Sequence, residues 1–335
     1  MKQKIAIIGA GSWGTALAVS LSGKGHEVSI WDVDEDLLRL LERDRENKRY
    51  LPEVFFPGSV RIAYTRKEAL YGADIALFAA PAQHFRSALE EAKPYFSRDQ
   101  VIVNVAKGIE RESLLTMSRI ASELCGERAY AVLSGPSHAE EVGRNMPTTL
   151  AVASENAELA EYVQDVFMTN RLRVYANSDV IGVELGGALK NVIALGAGIS
   201  DGMGFGDNAK AAMMTRGILE ISRLGEKLGA KRETFFGLSG IGDLIVTCTS
   251  RHSRNRRCGV LIGKGVEPAA AAEKVGMVVE GVYTAEAAQL LARKAGVEMP
   301  VTEQVCRVLR GEVSAKEAVT ALMTRQKRHE AEDLE

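Results

Sequence analysis

Gly9, Gly11 and Gly14 constrain the fold of this chain more than any other feature of its sequence. They form a G-x-G-x-x-G pattern that follows a short apolar run, residues 4–8, and opens a helical pattern over residues 12–24. In this context the first glycine permits a tight turn, the second lets a pyrophosphate approach the backbone, and the third lets the helix pack on the sheet. The N–H groups and the dipole at the start of the helix attract the anion. The pattern predicts a dinucleotide-binding turn; the alternative is a glycine-rich turn without a ligand.

Asp32 follows a second strand-like run, residues 27–31. It lies about 20 residues beyond the glycines, where an acidic side chain bonds the ribose hydroxyls of NAD. A carboxylate at this place repels the 2′-phosphate of NADP. We therefore expect NAD or NADP as the cofactor, with NAD favoured. The alternative is that Asp32 caps the helix that follows.

Strand-like and helical runs alternate up to about residue 178, which is typical of a parallel α/β sheet. Further strands are predicted over residues 74–79, 101–105, 130–133, 149–153 and 172–175, and helices over residues 34–45, 83–96 and 112–124, with a charged loop from the second helix to residue 57. Beyond residue 178 the patterns are helical, over residues 179–199, 208–228, 267–275, 284–295, 302–309 and 315–323. The chain is therefore predicted to hold an α/β domain, mostly a parallel doubly wound sheet, over residues 1–180 and an all-α domain over residues 181–335.

The charges of the chain are balanced. The 335 residues include 42 Lys and Arg against 44 Asp and Glu, which gives a formal net charge of −2. This balance provides no global basic field for nucleic acid or an anionic membrane. One run without charges, between Lys4 and Lys24, is long enough to suggest a membrane span. Its glycines cluster at a turn, so it is interpreted as the buried start of a domain, and no stable membrane insertion is expected.

The four cysteines are widely spread along the chain, at Cys125, Cys248, Cys258 and Cys306. No two of them have the spacing of a metal site, and there is no C-x-x-C motif. Reduced thiols of this kind are typical of a cytoplasmic protein. We therefore expect a cytoplasmic location and no metal.

Lys190 shares a helical face with the small residues Gly186, Ala194 and Ala197. Small neighbours leave room beside a lysine for another molecule, and the pKa of a partly buried lysine is easily shifted. Lys190 is therefore a candidate for proton transfer. The alternative is a lysine that reaches solvent or pairs with an acidic side chain.

Asp243 ends a glycine-rich turn, residues 239–243, ahead of an apolar run. Two interpretations stay open, a helix start capped by Asp243 or a carboxylate presented to a polar ligand. The densest basic cluster of the chain, residues 251–257, follows. Its arginines, with a serine and an asparagine, favour a phosphate site. A solvated face and a nucleic-acid patch are the alternatives.

Two loops follow predicted strands of the sheet. Lys107 comes after the strand over residues 101–105, and Gly135 and Ser137 come after the strand over residues 130–133. Open α/β sheets bind ligands at the carboxyl ends of their strands. Both loops are candidate ligand contacts, although each is also explained by a simple turn.

These blocks together resemble the bacterial NAD(P)-dependent glycerol-3-phosphate dehydrogenases, over residues 4 to about 322. The resemblance is carried by residues 9–14, 103–108, 133–137, 184–198, 204–210, 240–244 and 253–257. It implies a Rossmann domain followed by a helical domain like the C-terminal domain of 6-phosphogluconate dehydrogenase. It also implies a homodimer, and the reversible reduction of dihydroxyacetone phosphate, a phosphorylated three-carbon substrate, to sn-glycerol 3-phosphate for glycerophospholipid synthesis.

The resemblance further implies roles for individual residues, with Lys190 as the proton donor and acceptor and with Lys107 and Asp243 beside it in catalysis. The implied substrate contacts are Lys107, Gly135, Ser137, Lys190, Asp243, Ser253, Arg254 and Asn255. The implied cofactor contacts, added to the glycines and Asp32, are Ser12, Trp13, Lys107, Ala139, Arg254, Val278 and Glu280. One departure concerns the residues after Trp31: this chain has Asp32, Val33 and Asp34 where relatives that use NADP often carry basic or neutral residues.

Other functions remain as alternatives at this stage. One is a dehydrogenase for another small hydroxy acid, such as a relative of the 6-phosphogluconate or ketopantoate enzymes. Another is a protein that binds a dinucleotide as a sensor without catalysis. A nucleic-acid binder would have to use the basic cluster at residues 251–257.

Overall fold

The computed structural model describes residues 2–327 and 329–330. Contacts between residues divide the chain into two compact units. The first unit consists of Met1–Ala106 and Met117–Val180, and the second of Lys107–Thr116 and Ile181–Glu335. Residues 107–116, which the predicted division at residue 180 assigns to the first domain, thus have their contacts in the second unit.

The first unit is built on one eight-stranded sheet and a small two-stranded sheet. The strands are β1 (Lys4–Ile8), β2 (Glu27–Trp31), β3 (Glu46–Asn47), β4 (Leu51–Phe55), β5 (Val60–Ile62), β6 (Ile75–Phe78), β7 (Val101–Asn104), β8 (Tyr130–Ser134), β9 (Thr148–Ala153) and β10 (Leu172–Asn177). The large sheet has the order β10-β9-β8-β7-β6-β1-β2-β5, and within it only the pair β8–β9 is antiparallel. The run β5-β2-β1-β6-β7-β8 has the strand order of a Rossmann fold, so the predicted mostly parallel sheet is confirmed.

The helices of the first unit connect the strands. They are α1 (Ser12–Gly23), α2 (Glu35–Asp44), α3 (Arg66–Leu70), α4 (Phe85–Ala92), α5 (Met117–Cys125), α6 (Ala139–Gly143) and α7 (Ala157–Phe167). Helix α2 shows how the local sequence sets such bounds. The Asp34 side chain accepts a hydrogen bond from the Leu37 N–H at the start, and Arg45 ends the helix in a left-handed conformation.

Two local predictions in the first half of the chain are wrong. The helix predicted over residues 112–124 begins only at Met117, because Leu114 has a φ of +62°, which a right-handed helix does not accommodate. The charged loop predicted up to residue 57 contains the antiparallel pair β3–β4. Leu51 and Val54 of β4 are buried against α1 and α6, and this burial decides the conformation of the segment.

Every element that the structure describes in the second unit is helical, as predicted. The α-helices are α8 (Val180–Gly202), α9 (Asp207–Lys227), α10 (Arg232–Phe235), α11 (Asp243–Thr249), α12 (Arg254–Gly263), α13 (Pro268–Val275), α14 (Glu280–Ala295), α15 (Pro300–Leu309) and α16 (Ala315–Met323). Helix α8 is long and apolar enough to cross a membrane by length and composition, but 94% of its apolar window is buried inside the protein. It is therefore described as the core helix of this unit.

The small residues of α8 serve helix packing. A Cβ atom on Gly186 would lie 2.6 Å from the Ser239 carbonyl oxygen, and Ala194 and Ala197 are fully buried in the apolar core. A Cβ atom on Gly198 would lie 2.1 Å from the Arg256 carbonyl oxygen, so α12 also approaches α8 closely. The interpretation that this small-residue face leaves room for a ligand is therefore wrong, because neighbouring protein segments fill the space.

Candidate active site

The glycine-rich turn between β1 and α1 is closed by its own backbone. Gly9 has a φ of +110°, which favours glycine, and its N–H donates to the Trp31 carbonyl oxygen at 2.8 Å. A Cβ atom on Gly14 would lie 2.0 Å from the Gly9 carbonyl oxygen. A Cβ atom on Gly11, in contrast, would meet no atom within 4 Å. Packing thus explains glycine at positions 9 and 14, while the space beside Gly11 is open.

The start of α1 fits a dinucleotide phosphate. No side chain caps this helix, and its first turn, which contains Ser12 and Trp13, holds no acidic residue. The unshared N–H groups of a helix start, with the helix dipole, favour an anion there. The open space at Gly11 lets such an anion approach the backbone. These residues therefore fit the pyrophosphate of NAD or NADP.

Asp32 directly follows β2, and its side chain is hydrogen-bonded to the backbone of the glycine-rich turn. Its carboxylate accepts hydrogen bonds from the N–H of Ala10 at 2.6 Å and from the N–H of Asp34 at 3.1 Å. The alternative that Asp32 caps the following helix is wrong, since Asp34 does this. The carboxylate therefore lies beside the backbone of the turn and places a negative charge there.

Asn47 is a residue of this turn that the sequence analysis missed. Its fully buried amide nitrogen donates to the Ala10 carbonyl oxygen at 2.7 Å and to the Thr15 hydroxyl at 2.8 Å. These contacts tie β3 to the glycine-rich turn. An asparagine within a charged segment carries no sequence signal for this role.

The other predicted contacts of the first unit follow β8. Gly135 has a φ of +128°, and its carbonyl oxygen accepts a hydrogen bond from the Ser137 hydroxyl at 2.9 Å. Ala139 begins α6 and is 7% exposed, in an apolar cluster with Ala16 of α1. The structure thus places Gly135 and Ser137 in the loop at the carboxyl end of β8, and Ala139 at the start of the helix that follows this loop.

The second unit brings three predicted catalytic residues together, and we call Lys107, Asp243 and Lys190 the lysine–aspartate cluster. Oδ1 of Asp243 lies 2.5 Å from Nζ of Lys190, and Oδ2 lies 2.7 Å from Nζ of Lys107. The Asp243 side chain is 2% exposed, that of Lys190 is 7% exposed and that of Lys107 is 18% exposed. The cluster therefore carries one net positive charge, and Lys107 is its most accessible member.

The position of Asp243 excludes one of the two interpretations that the sequence left open, a helix start capped by its side chain. A π-helical turn, Leu238–Gly242, leads into α11, and Asp243 is the first residue of that helix. Its carboxylate makes no capping hydrogen bond at α11 and instead accepts from the two lysines. The carboxylate is therefore presented to polar groups inside the unit.

Thr247 completes the surroundings of Lys190. Its hydroxyl accepts a hydrogen bond from Nζ of Lys190 at 2.7 Å and lies 2.6 Å from the Asp243 carbonyl oxygen, to which it donates. The sequence analysis missed this residue, although its place four residues after Asp243 puts both on one face of α11. Two neighbours thus hold the ammonium group in one orientation.

Burial and charge set the protonation of the cluster. Burial lowers the pKa of Lys190 to about 8, with the charge of Lys107 acting in the same direction and that of Asp243 opposing both. Burial alone would raise the pKa of Asp243, but the two ammonium groups outweigh it and hold that pKa below its usual value. The pKa of Lys190 is therefore about 8, beside a carboxylate whose pKa is lowered by the two ammonium groups.

A chain of buried amides links the cluster to two other helices. The Asn191 side chain donates to the Lys107 carbonyl oxygen at 3.2 Å and accepts from the Asn255 side chain at 2.9 Å. The Asn255 oxygen in turn accepts from the N–H of Gly281 at 2.8 Å. Asn255 therefore reaches the cluster through Asn191, which the sequence analysis missed.

The basic cluster at residues 251–257 forms the start of α12. The Ser253 hydroxyl caps the helix by accepting from the Arg256 N–H at 3.2 Å, and Arg254 is the first helical residue. The Arg256 guanidinium is paired with Asp201 at 2.6 Å. Part of the positive charge is thus neutralised inside the unit, which disfavours a continuous nucleic-acid patch.

The last two predicted cofactor contacts, Val278 and Glu280, lie at the start of α14 and are partly buried. Glu280 directly precedes Gly281, the residue that ends the amide chain. Among residues 2–327 and 329–330, no group of His, Cys, Asp and Glu side chains is arranged to hold a metal ion.

Two family models match the chain. The N-terminal model of the NAD-dependent glycerol-3-phosphate dehydrogenases matches residues 4–160, and the C-terminal model matches residues 179–320. A glycerol-3-phosphate dehydrogenase [NAD(P)+] of Pelotomaculum thermopropionicum is 54% identical, covering 100% of this chain and 97% of the relative. The enzyme of the same name from Bacillus pumilus is 51% identical over 99% of this chain and 97% of its own length.

Solved structures agree with these matches. The crystal structure of glycerol-3-phosphate dehydrogenase from Coxiella burnetii has a TM-score of 0.94 at 40% identity, covering 97% of this chain and 99% of its own. A ketopantoate reductase from Ralstonia eutropha, with a TM-score of 0.62 at 16% identity over 95% of this chain and 100% of its own, shares the fold alone. Both family models and the full-length relatives lead to the same conclusion: the chain belongs to the NAD-dependent glycerol-3-phosphate dehydrogenase family.

Proposed function

We propose that this chain catalyses the reversible reduction of dihydroxyacetone phosphate to sn-glycerol 3-phosphate with a nicotinamide cofactor. The observation that carries the proposal is the buried Lys190 ammonium group, held by Asp243 and Thr247 and tuned to titrate near neutral pH. Family membership supports the same reaction. The cofactor, when bound, supplies or accepts the hydride, and the protein must handle the proton.

Lys190 acts as the acid in reduction and as the base in oxidation. With a pKa of about 8, its charged form outweighs its neutral form by about ten to one at pH 7. A group with such a pKa donates a proton to the carbonyl oxygen readily and recovers one in the reverse direction. General acid–base catalysis of this kind contributes roughly 10²–10⁴-fold to the rate.

Lys107 and Asp243 support that proton transfer. Asp243 keeps the Lys190 ammonium in place, and Lys107 adds a second positive charge near the same carboxylate. Negative charge that develops on the substrate oxygen is stabilised by such an ammonium by about 4 kcal/mol, for charges about 4 Å apart at an effective dielectric near 20. We assign Lys107, Lys190 and Asp243 to catalysis and to substrate contact.

The substrate phosphate is assigned to the start of α12 in the second unit. Arg254 provides the cation, since arginine binds phosphate through two parallel N–H bonds. Ser253, Asn255, Gly135 and Ser137 are the further proposed contacts. Because the phosphate is remote from the reacting carbon, the energy of binding it can be used to orient the substrate for the reaction.

The cofactor is assigned to the glycine-rich turn of the first unit, with NAD preferred to NADP. The open space at Gly11 and the uncapped start of α1 support the pyrophosphate site. The Asp32 carboxylate, held beside this turn, supports the preference for NAD. The proposed contacts outside the turn are Lys107, Ala139, Arg254, Val278 and Glu280.

A spectrophotometric assay of nicotinamide oxidation tests the proposal. The purified chain is given dihydroxyacetone phosphate with NADH and with NADPH in parallel, and unphosphorylated dihydroxyacetone as the matched substrate. We expect rapid turnover of the phosphorylated ketone and a higher kcat/KM with NADH. Equal reduction of both ketones would contradict the phosphate site, and no turnover with either cofactor would contradict the reaction.

We also propose a homodimer in the cytoplasm that supplies the backbone of glycerophospholipids, in keeping with the family resemblance. All four cysteines are free thiols, which suits a reducing compartment. Sedimentation equilibrium of the purified chain checks the dimer, and fractionation of cells checks the location.

A further inference from the structure

The 107–116 segment, which directly follows β7 and Ala106, has its contacts in the second unit. Ile109 of this segment is fully buried and belongs to an apolar core cluster with Leu189 of α8 and Leu244 of α11. These two helices also carry Lys190 and Asp243. The segment that carries Lys107 is thus anchored in the same core that supports the other two members of the lysine–aspartate cluster.

Backbone hydrogen bonds keep the 107–116 segment compact, so that the buried Ile109 side chain can hold the rest of the segment in place. The N–H of Glu110 donates to the Leu115 carbonyl oxygen at 2.9 Å, and the N–H of Leu114 donates to the Glu110 carbonyl oxygen at 2.9 Å. These bonds close a compact turn, and Leu114 packs on the core that holds Ile109. Polar contacts add to this packing, among them an Arg111–Glu286 ion pair between half-exposed side chains and the Asn191 hydrogen bond to the Lys107 backbone.

We propose that Ile109 is a positioning residue that, through its burial in the core of the second unit, holds Lys107 against Asp243 and keeps a second positive charge beside Lys190. Ile109 is two residues from Lys107, so its side chain limits how far the Lys107 backbone can move. Without this anchor, the partly buried Lys107 side chain would gain conformational entropy by leaving the carboxylate. The inference rests on the proposed function, because it concerns the acid that the function requires.

The position of Lys107 affects the electrostatic surroundings, and therefore the pKa, of Lys190. The titratable groups that act on the pKa of Lys190 are the Asp243 carboxylate, the Lys107 ammonium and the Cys248 thiol, with the Thr247 hydroxyl as a further hydrogen-bond partner. Of these, Lys107 lowers the pKa of Lys190 together with burial, and Asp243 raises it. Loosening Lys107 leaves the Asp243 carboxylate to Lys190 alone. The pKa of Lys190 should then rise.

The test is the pH dependence of kcat/KM for dihydroxyacetone phosphate at saturating NADH. Reduction needs protonated Lys190, so this parameter falls as the pH rises through the pKa of Lys190. For Ile109→Ala we expect a fall in kcat/KM of about 10- to 100-fold, the size that a small misplacement of a catalytic group produces. We also expect the alkaline limb to move to higher pH, toward its position in Lys107→Ala.

The matched control is Ile221→Ala, which removes the same atoms from the same core cluster at a residue of α9, outside the 107–116 segment. It should lose stability without moving the alkaline limb. Ile109→Val provides a milder variant with a smaller shift in the same direction, and it decides the question where Ile109→Ala does not fold.

An alkaline limb that stays in place in both Ile109 variants, or that moves equally in Ile221→Ala, would overturn the positioning role. Failure of the proposed function has a different signature. In that case Lys190→Ala itself would keep near-normal turnover, whatever the Ile109 variants do.

Discussion

The glycine-rich turn of the first unit and the lysine–aspartate cluster of the second are built in opposite ways. The turn depends on side chains that are absent: Gly14 allows α1 to contact the backbone of Gly9, and Gly11 leaves open space. The cluster depends on charged side chains that are buried, with Asp243 between two lysines. One site offers backbone N–H groups to an anion, and the other offers a proton.

Because of this difference, the two sites should be sensitive to different kinds of substitution. A site made of backbone is damaged by added atoms and is indifferent to pH near neutrality. A site made of coupled buried charges is damaged by the removal of one partner, because the remaining charge is left buried and unpaired. Variants in the two regions should therefore fail in different ways.

The largest effect is expected at Lys190. In Lys190→Ala, kcat should fall by roughly 10²–10⁴-fold while NADH still binds, because the acid is lost and the first unit is untouched. Lys190→Arg keeps the charge but does not release a proton at working pH. It should also be slow, as measured by steady-state kinetics together with NADH titration. Near-normal turnover of Lys190→Arg would reduce the role of Lys190 to electrostatics.

The second prediction contrasts two glycines of the turn. Gly14→Ala should lower the free energy of unfolding by roughly 1–3 kcal/mol, since its Cβ would lie 2.0 Å from the Gly9 carbonyl oxygen. Gly11→Ala should keep its stability, because its φ of −67° suits any residue, and should weaken NADH binding. Denaturant unfolding and cofactor titration separate the two. Unchanged NADH affinity in Gly11→Ala would contradict the pyrophosphate site.

The third prediction is that pH affects the stability of the two units in opposite directions. In the second unit, burial raises the pKa of Glu220 to about 7, although its carboxylate accepts from the N–H groups of Val301 and Thr302. The stability that protonated Glu220 contributes is present below its unfolded pKa near 4.5 and is lost as the pH rises toward 7. In Glu220→Gln this loss should disappear, a difference on the order of 3 kcal/mol.

In the first unit, His26 has the opposite effect on the pH dependence of stability, because its contribution is lost at low pH rather than at high pH. Burial lowers its pKa, and its ring accepts from the Gln3 N–H while it donates to the Val166 carbonyl oxygen. Its contribution is present above its unfolded pKa near 6.5 and is lost as the pH falls below it. Hydrogen exchange of core amides in each unit measures both trends. Parallel trends in the two units would contradict this assignment.

The smallest expected effect concerns the choice of cofactor. Asp32→Asn keeps an acceptor for the Ala10 N–H and removes the negative charge beside the turn. The ratio of kcat/KM for NADPH over that for NADH should rise roughly fivefold, the equivalent of about 1 kcal/mol for a solvated charge pair. Parallel assays with both cofactors measure this ratio. A ratio that does not change would remove Asp32 from cofactor selection.

Much of the fold was predictable from local patterns. The bounds of β2 and α16 agree with prediction to the residue, and α8 and α9 agree within a few residues, because their apolar periodicity extends over whole elements. The β3–β4 pair and the late start of α5 were missed. The hydrophobic contacts of Leu51 and the left-handed conformation of Leu114 come from tertiary packing, which overrides weak local signals.

The candidate site was predictable in part. The residue types of Lys107, Lys190 and Asp243 suggested chemistry, but the small-residue face around Lys190 was misinterpreted as ligand space. Thr247 and Asn191 were missed because neither motif nor composition distinguishes them. Their roles come from hydrogen bonds to groups that lie far away along the chain, such as the Asn191 bond to Lys107.

By itself the sequence determined the sites that depend on local geometry. The spacing of Gly9, Gly11 and Gly14 specifies a turn between a strand and a helix, because sterics act between residues close in the chain. Only the tertiary structure decided that Asp243 would lie between two lysines that are 53 and 136 residues away. Burial sets the pKa of Lys190, and burial is a property of the packed core rather than of any short segment of the chain.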